Sequence, residues 1–400
     1  KSVIKMGLME SYIMEGENAE LLCDTLKRHV QGGAGQDRKL DPYVLMLEFI
    51  HNYYKKLGQD KAAITTEKCF FLKCFDSPVG KAVHKDMGHK ERILAECMLH
   101  WGWDTATLND MNNYQNWDFK KMGGLASSFH DFMIEAYKNL TDRISRQANV
   151  KSLISENDLT VLGRKLFTLY SRKPAGKIQF LKRVMNEAEK LDSISFAAQF
   201  ERRKTPMWVA YRGNITSDIA KGFSVDHLAL TKSQDPVTLM MWLTINRIYD
   251  KNTFLYFIPN QTPLSLQDLQ ELMSAIMALF PAMFLRDLKA EDLVTGSYVT
   301  RAMVVVNLLS KRWIQEIETI HVLYSNSWGE FFCHPLAARQ GLAKLREVLS
   351  QTRPDFSIKD KAVFNVIAPT GDNKKKIISK IDAILLKTIG PLKRSSPSRR

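Results

Sequence analysis

The chain has 400 residues, of which 45% are hydrophobic and 25% are charged. This length and composition are ordinary for a globular protein and predict two or three domains with hydrophobic cores. No apolar run reaches the roughly 18 residues that a membrane span needs, which argues against a transmembrane protein. The five cysteines are scattered without a paired spacing, so we expect free thiols in a cytoplasmic protein.

The net charge of +14 is concentrated in two segments. Residues 371–400 hold nine basic and two acidic side chains, and residues 172–204 hold nine basic and four acidic ones. A clustered basic face is able to bind the phosphates of nucleic acid, whereas such charges are more often simply solvated. The C-terminal segment lacks the interleaved aromatic side chains of a single-strand site, so we predict no specific nucleic-acid partner. A nucleic-acid-binding module stays as an alternative function.

Residues 1–150 are predicted to form a helical domain. The apolar residues of the first segment recur at helical spacing, so the chain begins within a helix. Asp41 and Pro42 are typical of an N-cap and a first helical position, and Gly58 is typical of the left-handed end of the same helix. Asp104 is expected to cap a later helix. The expected buried face of the helix after Asp41 consists of Tyr43, Leu47, Ile50, Tyr54 and Leu57.

A long helix is predicted within residues 117–149. Its apolar stripe contains Phe119, Met122, Leu125, Phe129, Met133, Ala136 and Leu140. Gly123 and Gly124 weaken its start by about 1 kcal/mol each relative to alanine. Because glycine has no side chain, we expect this pair to allow the close approach of a neighbouring helix.

Residues 151–388 are predicted to form an α+β region, in which runs rich in valine, isoleucine, phenylalanine and tyrosine alternate with helical patterns. Ser265 followed by Asp268 is close to a capping box, and Asn326 and Ser327 mark the turn of a hairpin. The predicted strands lie in PMWVAYRG, TFLYFIPN, YVTRAMVVVNLL, ETIHVLYSNSWGEFFCHP and KAVFNVIAP. The expected fold is therefore α+β and α-rich, with an N-terminal helical bundle followed by a mixed α+β domain. Residues 389–400 are predicted to be a basic disordered tail.

The sequence contains no recognisable catalytic constellation. Two-metal phosphoryl chemistry usually takes two aspartates spaced two apart on one strand, and no two aspartates of this chain have that spacing. Glu156 and Asp158 have it, but they precede a predicted helix, where capping explains them. The segment QGGAGQ lacks the Lys-Ser/Thr of a phosphate loop and is interpreted as a linker.

A histidine-rich segment is the best candidate for a metal site. His84, Asp86 and His89 lie within six residues, and Cys97 and His100 follow on the next predicted helix. Zinc sites favour tighter paired spacings, so a solvated polar loop is the favoured interpretation and no metal ligand is assigned. An independent hydrolase that uses His84 and His89 is a further alternative.

Eight short stretches occur together in an order that points to one enzyme family. They are KSVIKMGLMESYI, LDPYVLMLEFI, CFFLKCF, HWGWD, NWDFKK, EAYKNL, LGRKLFTLYSRKPAGKI and LYSNSWGE. With these stretches in the same order and at similar separations along the sequence, the chain resembles the class I adenylate cyclases of gammaproteobacteria. The resemblance extends from Lys1 to about Leu386, and the ordered set is more specific than any one motif.

The resemblance implies a larger cytoplasmic enzyme that converts Mg-ATP to cyclic AMP and pyrophosphate. In that family a nucleotidyltransferase-like domain with a Gly-Ser signature and an Asp-x-Asp pair comes first. The Gly-Ser of this chain, Gly296-Ser297, instead precedes an apolar strand. We therefore expect a fragment that begins after the catalytic core, contains no catalytic residue and is inactive alone.

The resemblance also implies roles for the two halves. Residues 1–150 would complete the catalytic part, where Lys1 and Lys5 are the candidates for contact with the phosphates of ATP. The alternative for these two lysines is simple exposure on an amphipathic helix. Residues 151–388 would be the regulatory region, which is linked to the phosphotransferase system in enteric members of the family.

Overall fold

The computed structural model divides the chain into two compact units. The first unit consists of residues 1–166 with 182–185, and the second of residues 167–181 with 186–400. Within them the structure describes residues 2–16, 19–32, 41–75, 88–114, 117, 119–146, 161–164, 175–180, 191–199, 206–259, 262–280, 290–311, 314–351, 364–368 and 373–389.

The first unit is built from helices. Their bounds are α1 Ser2–Glu15, α2 Leu22–Gln31, α3 Pro42–Lys56, α4 Asp60–Cys74, α5 His89–Trp101, α6 Thr105–Asn112 and α7 Phe119–Arg146. Asp41 accepts hydrogen bonds from the backbone N–H groups of Tyr43 and Val44 at the start of α3. Asp104 accepts one from Thr107 at the start of α6. Both predicted caps are confirmed, and each satisfies donors that a helix leaves without an internal partner.

The buried face of α3 is shorter than predicted. Leu47, Ile50 and Tyr54 are at most 1% exposed, as expected. Tyr43 and Leu57 are instead 70% and 49% exposed. These two residues lie at the two ends of the helix, so the predicted period is right and only the length of the buried stripe is wrong.

Close helix packing occurs at Gly7 of α1 rather than at the predicted glycine pair of α7. A Cβ atom on Gly7 would lie 2.9 Å from Cγ2 of Ile50 in α3 and 3.3 Å from Cζ of Phe132 in α7. Gly123 and Gly124 are exposed, and an added Cβ atom on either would meet nothing within 4 Å. The prediction for the pair is wrong because both glycines lie on the solvent side of α7.

Within its described residues, the second unit contains two four-stranded mixed sheets. Their strands are β1 Ser193–Gln199, β2 Met207–Arg212, β3 Ala229–Ser233, β4 Phe254–Ile258, β5 Val299–Val306, β6 Thr319–Asn326, β7 Phe331–Ala337 and β8 Phe364–Ile367. The first sheet has the order β3-β2-β1-β4 and the second has the order β7-β6-β5-β8. One outer strand of each sheet, β4 or β8, runs parallel to its neighbour, and the other pairs are antiparallel.

The runs rich in β-branched and aromatic residues are strands, as predicted. The hairpin is also confirmed, since β6 ends at Asn326 and β7 begins at Phe331. Two strands were not predicted: β1, with the sequence SISFAAQ, and β3, with ALTKS. β1 lies between β2 and β4 in its sheet, so the missed strand is a central one.

Helices cover the sheets of the second unit. Their bounds are α8 Thr216–Ala220, α9 Pro236–Ile245, α10 Leu266–Leu279, α11 Ala290–Val294, α12 Ala338–Ser350 and α13 Lys374–Ile389. The capping box of α10 is confirmed, because the Ser265 hydroxyl accepts from the Asp268 N–H while Asp268 accepts from the Ser265 N–H. One face of the second sheet, with Val304 and Val322, packs against Leu345 of α12 and Ile377 of α13.

The predicted fold class, α+β and α-rich with helices first and sheets second, is confirmed. All five cysteines are free, as expected. Among the described residues, none of the helices combines the length and the apolar character that a membrane crossing requires. Of the predicted disordered tail 389–400, Ile389 is instead the last residue of α13, and residues 390–400 lie outside the described residues. The carboxylates Glu156 and Asp158 lie outside them as well.

Candidate functional site

Of the two predicted phosphate-contacting lysines, Lys5 lies near the beginning of α1. Lys1 lies outside the described residues, and Lys5 is exposed. The opposite side of α1 is buried through Val3, Met6 and Gly7. Lys5 is therefore an exposed cation on a helix whose other face is fixed in the core of the first unit.

A buried carboxylate ties α1 to two neighbouring helices. Glu10 of α1 is 1% exposed. The Tyr54 hydroxyl of α3 donates a hydrogen bond to Glu10 Oε2 at 2.6 Å, and Asn139 Nδ2 of α7 donates one to Oε1 at 2.6 Å. Because a buried polar group is stable only when it is hydrogen-bonded, this network favours one position of α1 along and around its own axis.

Burial governs the ionisation of this network. It raises the pKa of Glu10, although the hydrogen bonds from Tyr54 and Asn139 act in the opposite direction, and the nearby charge of Glu135 adds to the rise. Burial and the Glu10 charge also raise the pKa of the Tyr54 phenol far above its ordinary value. Tyr54 is therefore the hydrogen-bond donor of the pair at neutral pH, and Glu10 is the acceptor.

A second buried carboxylate lies between α3, α4 and the turn after α5. Glu67 is 3% exposed, and its Oε1 lies 2.8 Å from His51 Nε2. Trp103 Nε1 donates a hydrogen bond to Glu67 Oε2 at 2.8 Å. Trp103 and Ile4 of α1 both pack against one hydrophobic cluster, which includes Leu47 and Phe71. The residue next to Lys5 is thus anchored by apolar packing, while Glu10 anchors the helix further along.

The residues that were weighed as metal ligands do not form a site in the described part of the chain. His84 and Asp86 lie outside it, and His89 is exposed at the first position of α5. Cys97 is buried on the same helix, whereas His100 is exposed. Among the described residues, no group of three His, Cys, Asp or Glu side chains is arranged to hold a metal ion.

The second unit has its own buried ionisable pair. His321 Nε2 of β6 lies 2.7 Å from Oδ1 of Asp235, the residue that caps α9. Both the N–H and the hydroxyl of Thr238 donate to Asp235 Oδ2 at 2.7 Å. Burial alone would raise the pKa of Asp235, but the interactions with His321 and Thr238 outweigh it and hold the pKa below its usual value. The pair joins the start of α9 to the second sheet.

Another buried pair lies at the hairpin of the second sheet. Lys177 Nζ donates to Glu330 Oε1 at 2.6 Å, and Asn326 Nδ2 donates to Glu330 Oε2 at 2.7 Å. The backbone around Lys177 pairs with β7, since Ile178 N–H donates to the Phe331 carbonyl. These contacts join the segment of Lys177 to the hairpin, so we interpret the pair as structural.

Two family models match the chain in consecutive order. The class I adenylate cyclase second-domain model matches residues 1–182, and the third-domain model of the same family matches residues 193–283. The chain belongs to the class I adenylate cyclase family. The resemblance seen in the sequence is thereby confirmed.

Similar curated proteins bear the name adenylate cyclase. The Escherichia coli K12 enzyme is 27% identical over 284 residues, which is 70% of this chain and 32% of that protein. The Salmonella typhimurium enzyme is 26% identical over 282 residues, again 70% and 32%. The Proteus mirabilis enzyme is 24% identical over 382 residues, which is 89% of this chain and 43% of that protein. The chain thus spans about a third to two fifths of the length of these adenylate cyclases. No solved structure matches it significantly.

The sequence alone does not reveal the buried carboxylates Glu10 and Glu67 or the pair of Asp235 with His321. The sequence does contain a signal for Glu10. This residue follows Met6 by four positions and therefore lies on the same face of α1 as the buried residues Val3, Met6 and Gly7. A charged residue at an apolar position of a helix indicates a buried network. The partners of Glu67 and His321 lie far away in sequence, and only the fold brings them together.

Proposed function

We propose that this chain is the helical and regulatory portion of an adenylate cyclase that converts ATP to 3′,5′-cyclic AMP and pyrophosphate. The observation that carries the proposal is the consecutive match of the second and third domains of one cyclase family. In the reaction the 3′-hydroxyl of ATP attacks the α-phosphorus and loses its proton. The new bond from O3′ to phosphorus forms as the bond to the pyrophosphate leaving group breaks.

The first unit would provide one wall of the nucleotide cleft, with Lys5 contacting the phosphates of ATP. Exposure of Lys5 and the fixed position of α1 support this role. A preorganised cation lowers the energy of a transition state in which negative charge moves onto a leaving phosphate. Lys1, four residues earlier in the sequence, would act with it.

The described residues do not fit the Mg²⁺ that accompanies ATP, since they contain no convergent group of three ligands. As the family resemblance implies, we assign the metal-binding carboxylates and the removal of the 3′-hydroxyl proton to sequence upstream of Lys1. The second unit would be the regulatory region, with a protein of the phosphotransferase system as its partner. The site of action would be the cytoplasm.

The test is the formation of cyclic AMP from Mg-ATP by the 400-residue chain, beside a version extended upstream to include the nucleotidyltransferase domain. We expect turnover only in the extended version. Circular dichroism of the short chain shows whether it is folded, so that a lack of turnover is not a lack of structure. Turnover by the short chain would contradict the assignment of the carboxylates.

The role of Lys5 is tested in the extended protein. Lys5→Ala should lower kcat/KM for ATP by about tenfold or more, since a charge-assisted hydrogen bond is worth roughly 1.5–3 kcal/mol. Lys138→Ala is the matched control, because Lys138 is an exposed lysine on α7 of the same unit. Equal kinetics of the two variants would show that Lys5 is only solvated.

A further inference from the structure

The second unit has a groove of about 540 Å³ beside the outer strand of its second sheet. The groove lies between three elements, β8, α10 and the start of α13. Its lining residues are Gln267, Gln270, Glu271, Ser274 and Ala275 of α10, Val366 and Ile367 of β8, and Lys374 of α13.

One wall of the groove is the edge of β8. This strand pairs with β5 on one side, and no other strand in the described part of the chain pairs with it. Val366 packs on the side of the sheet that α12 and α13 cover, and successive side chains of a strand alternate between faces. Because both Val366 and Ile367 line the groove, the groove follows the strand edge rather than one face. An edge strand offers backbone groups with which a further strand can pair.

The opposite wall is a polar stripe of α10. Gln267, Gln270, Glu271 and Ser274 are all exposed, and their spacing places them on one side of the helix. The two amides and the hydroxyl both donate and accept hydrogen bonds. Such a wall suits the backbone and the polar side chains of an extended peptide lying against β8.

The end of the groove lies at the start of α13, whose first turn carries three lysines, while the lining itself holds one lysine and one glutamate. Lys374 Nζ lies 2.9 Å from Glu271 Oε2 and joins α13 to α10 across the strand edge. This exposed ion pair contributes at most about 1 kcal/mol, so a competing carboxylate can open it. Lys375 and Lys376 follow and are exposed. Three lysines in the first turn of α13, where the helix dipole is also positive, favour an anionic partner.

We propose that this groove binds an extended acidic segment of a partner protein, which adds a strand to β8. The main chain of the segment pairs with the strand edge, which provides affinity, and its carboxylates pair with Lys375 and Lys376, which provides selectivity. The proposal is independent of cyclase activity, since it depends only on the geometry and charge of the second unit.

The test uses the 400-residue chain and two fluorescent octapeptide libraries. One library has glutamate at alternate positions and the other has lysine there, with valine, isoleucine, threonine, serine and tyrosine varied at the remaining positions. We expect fluorescence anisotropy to show binding of the glutamate library at least tenfold tighter than that of the lysine library. Methylation of alternate backbone nitrogens in the bound peptides should abolish binding, and bound peptide should slow amide exchange in residues 364–368.

The charge requirement is tested by the double variant Lys375→Glu with Lys376→Glu, which should weaken binding at least tenfold. Lys221→Glu with Lys251→Glu is the matched control, since both lysines are exposed in the same unit, and it should bind normally. Absence of binding, tolerance of backbone methylation or an unaffected Lys375/Lys376 variant would each overturn the proposal. Protection of β8 that rises with protein concentration in the absence of peptide would also overturn it, in favour of a second copy of the chain.

Discussion

Removal of the Glu10 carboxylate tests whether the buried network fixes α1. Glu10→Ala leaves two buried donors, the Tyr54 hydroxyl and the Asn139 amide, without their acceptor. Each unsatisfied buried group costs about 1–3 kcal/mol, and relief from burying the carboxylate offsets part of this. We expect a net loss of about 2–4 kcal/mol in the free energy of unfolding of the first unit.

Glu10→Gln should have a much smaller effect, because it keeps the side-chain volume and one acceptor oxygen. Its effect should also depend on pH. The pKa of Glu10 is raised in the folded protein, so its contribution to stability is full below the unfolded pKa and is lost as the pH rises through the folded pKa. The free energy of unfolding of the glutamine variant, relative to that of the unmodified protein, should therefore increase as the pH rises.

The assay is urea unfolding followed by circular dichroism at 222 nm at several pH values, fitted with a separate transition for each unit. Asp131→Ala is the control, since Asp131 is an exposed carboxylate on α7, and it should change stability by less than about 0.5 kcal/mol. A loss below about 1 kcal/mol for Glu10→Ala, or a difference between glutamate and glutamine that does not vary with pH, would refute the assignment of a desolvated, doubly hydrogen-bonded carboxylate.

Three further predictions concern stability. Gly123→Ala and Gly124→Ala should each stabilise the first unit by up to about 1 kcal/mol, because the added methyl group meets no atom and alanine favours a helix; a loss of stability in the same urea assay would contradict this. Gly7→Ala should destabilise it by about 1–2 kcal/mol, since overpacking against Ile50 exceeds the gain in helix propensity; an unchanged midpoint would show that Ile50 relaxes freely. The pKa of Asp235 is lowered in the folded protein, so its contribution to the free energy of unfolding is present above the unfolded pKa and is lost as the pH falls through the folded pKa. Asp235→Asn should therefore reduce the dependence of stability on pH below about pH 4, which thermal unfolding measures.

The sequence predicted the elements whose signals are local. The caps at Asp41 and Asp104 and the capping box at Ser265 depend on residues within one helical turn, and all three are present. The strand β5, with five residues of alanine, methionine and valine at its end, was recognisable from its run of apolar residues. Local chemistry is sufficient for such features because their partners lie a few residues away.

Features that depend on tertiary context were missed. β1 contains two alanines, two serines and a glutamine, which have low strand propensity, and burial between two neighbouring strands stabilises it instead. The sequence does not distinguish the glycines of α7 from Gly7 of α1, since all lie within helices. Only the positions of α3 and α7 show that Gly7 is the glycine at which helices pack closely. The pair of His321 with Asp235 joins residues 86 apart in the chain, so no local pattern indicates it.

The candidate site likewise has some features that the sequence predicts and others that only the fold reveals. The order of the eight stretches predicted the family, which the two domain matches confirm. The contact of Lys5 with nucleotide stays a prediction. The structure adds the buried residues of α1, including the hydrogen-bonded Glu10, which the sequence did not reveal.

The rate of cyclic AMP formation from Mg-ATP, measured side by side for the upstream-extended protein and the 400-residue chain at equal concentration, tests most directly whether the catalytic carboxylates lie upstream of Lys1. We expect product from the extended protein and none above background from the chain alone. Equal rates would contradict this expectation, because the catalytic carboxylates would then lie within these 400 residues.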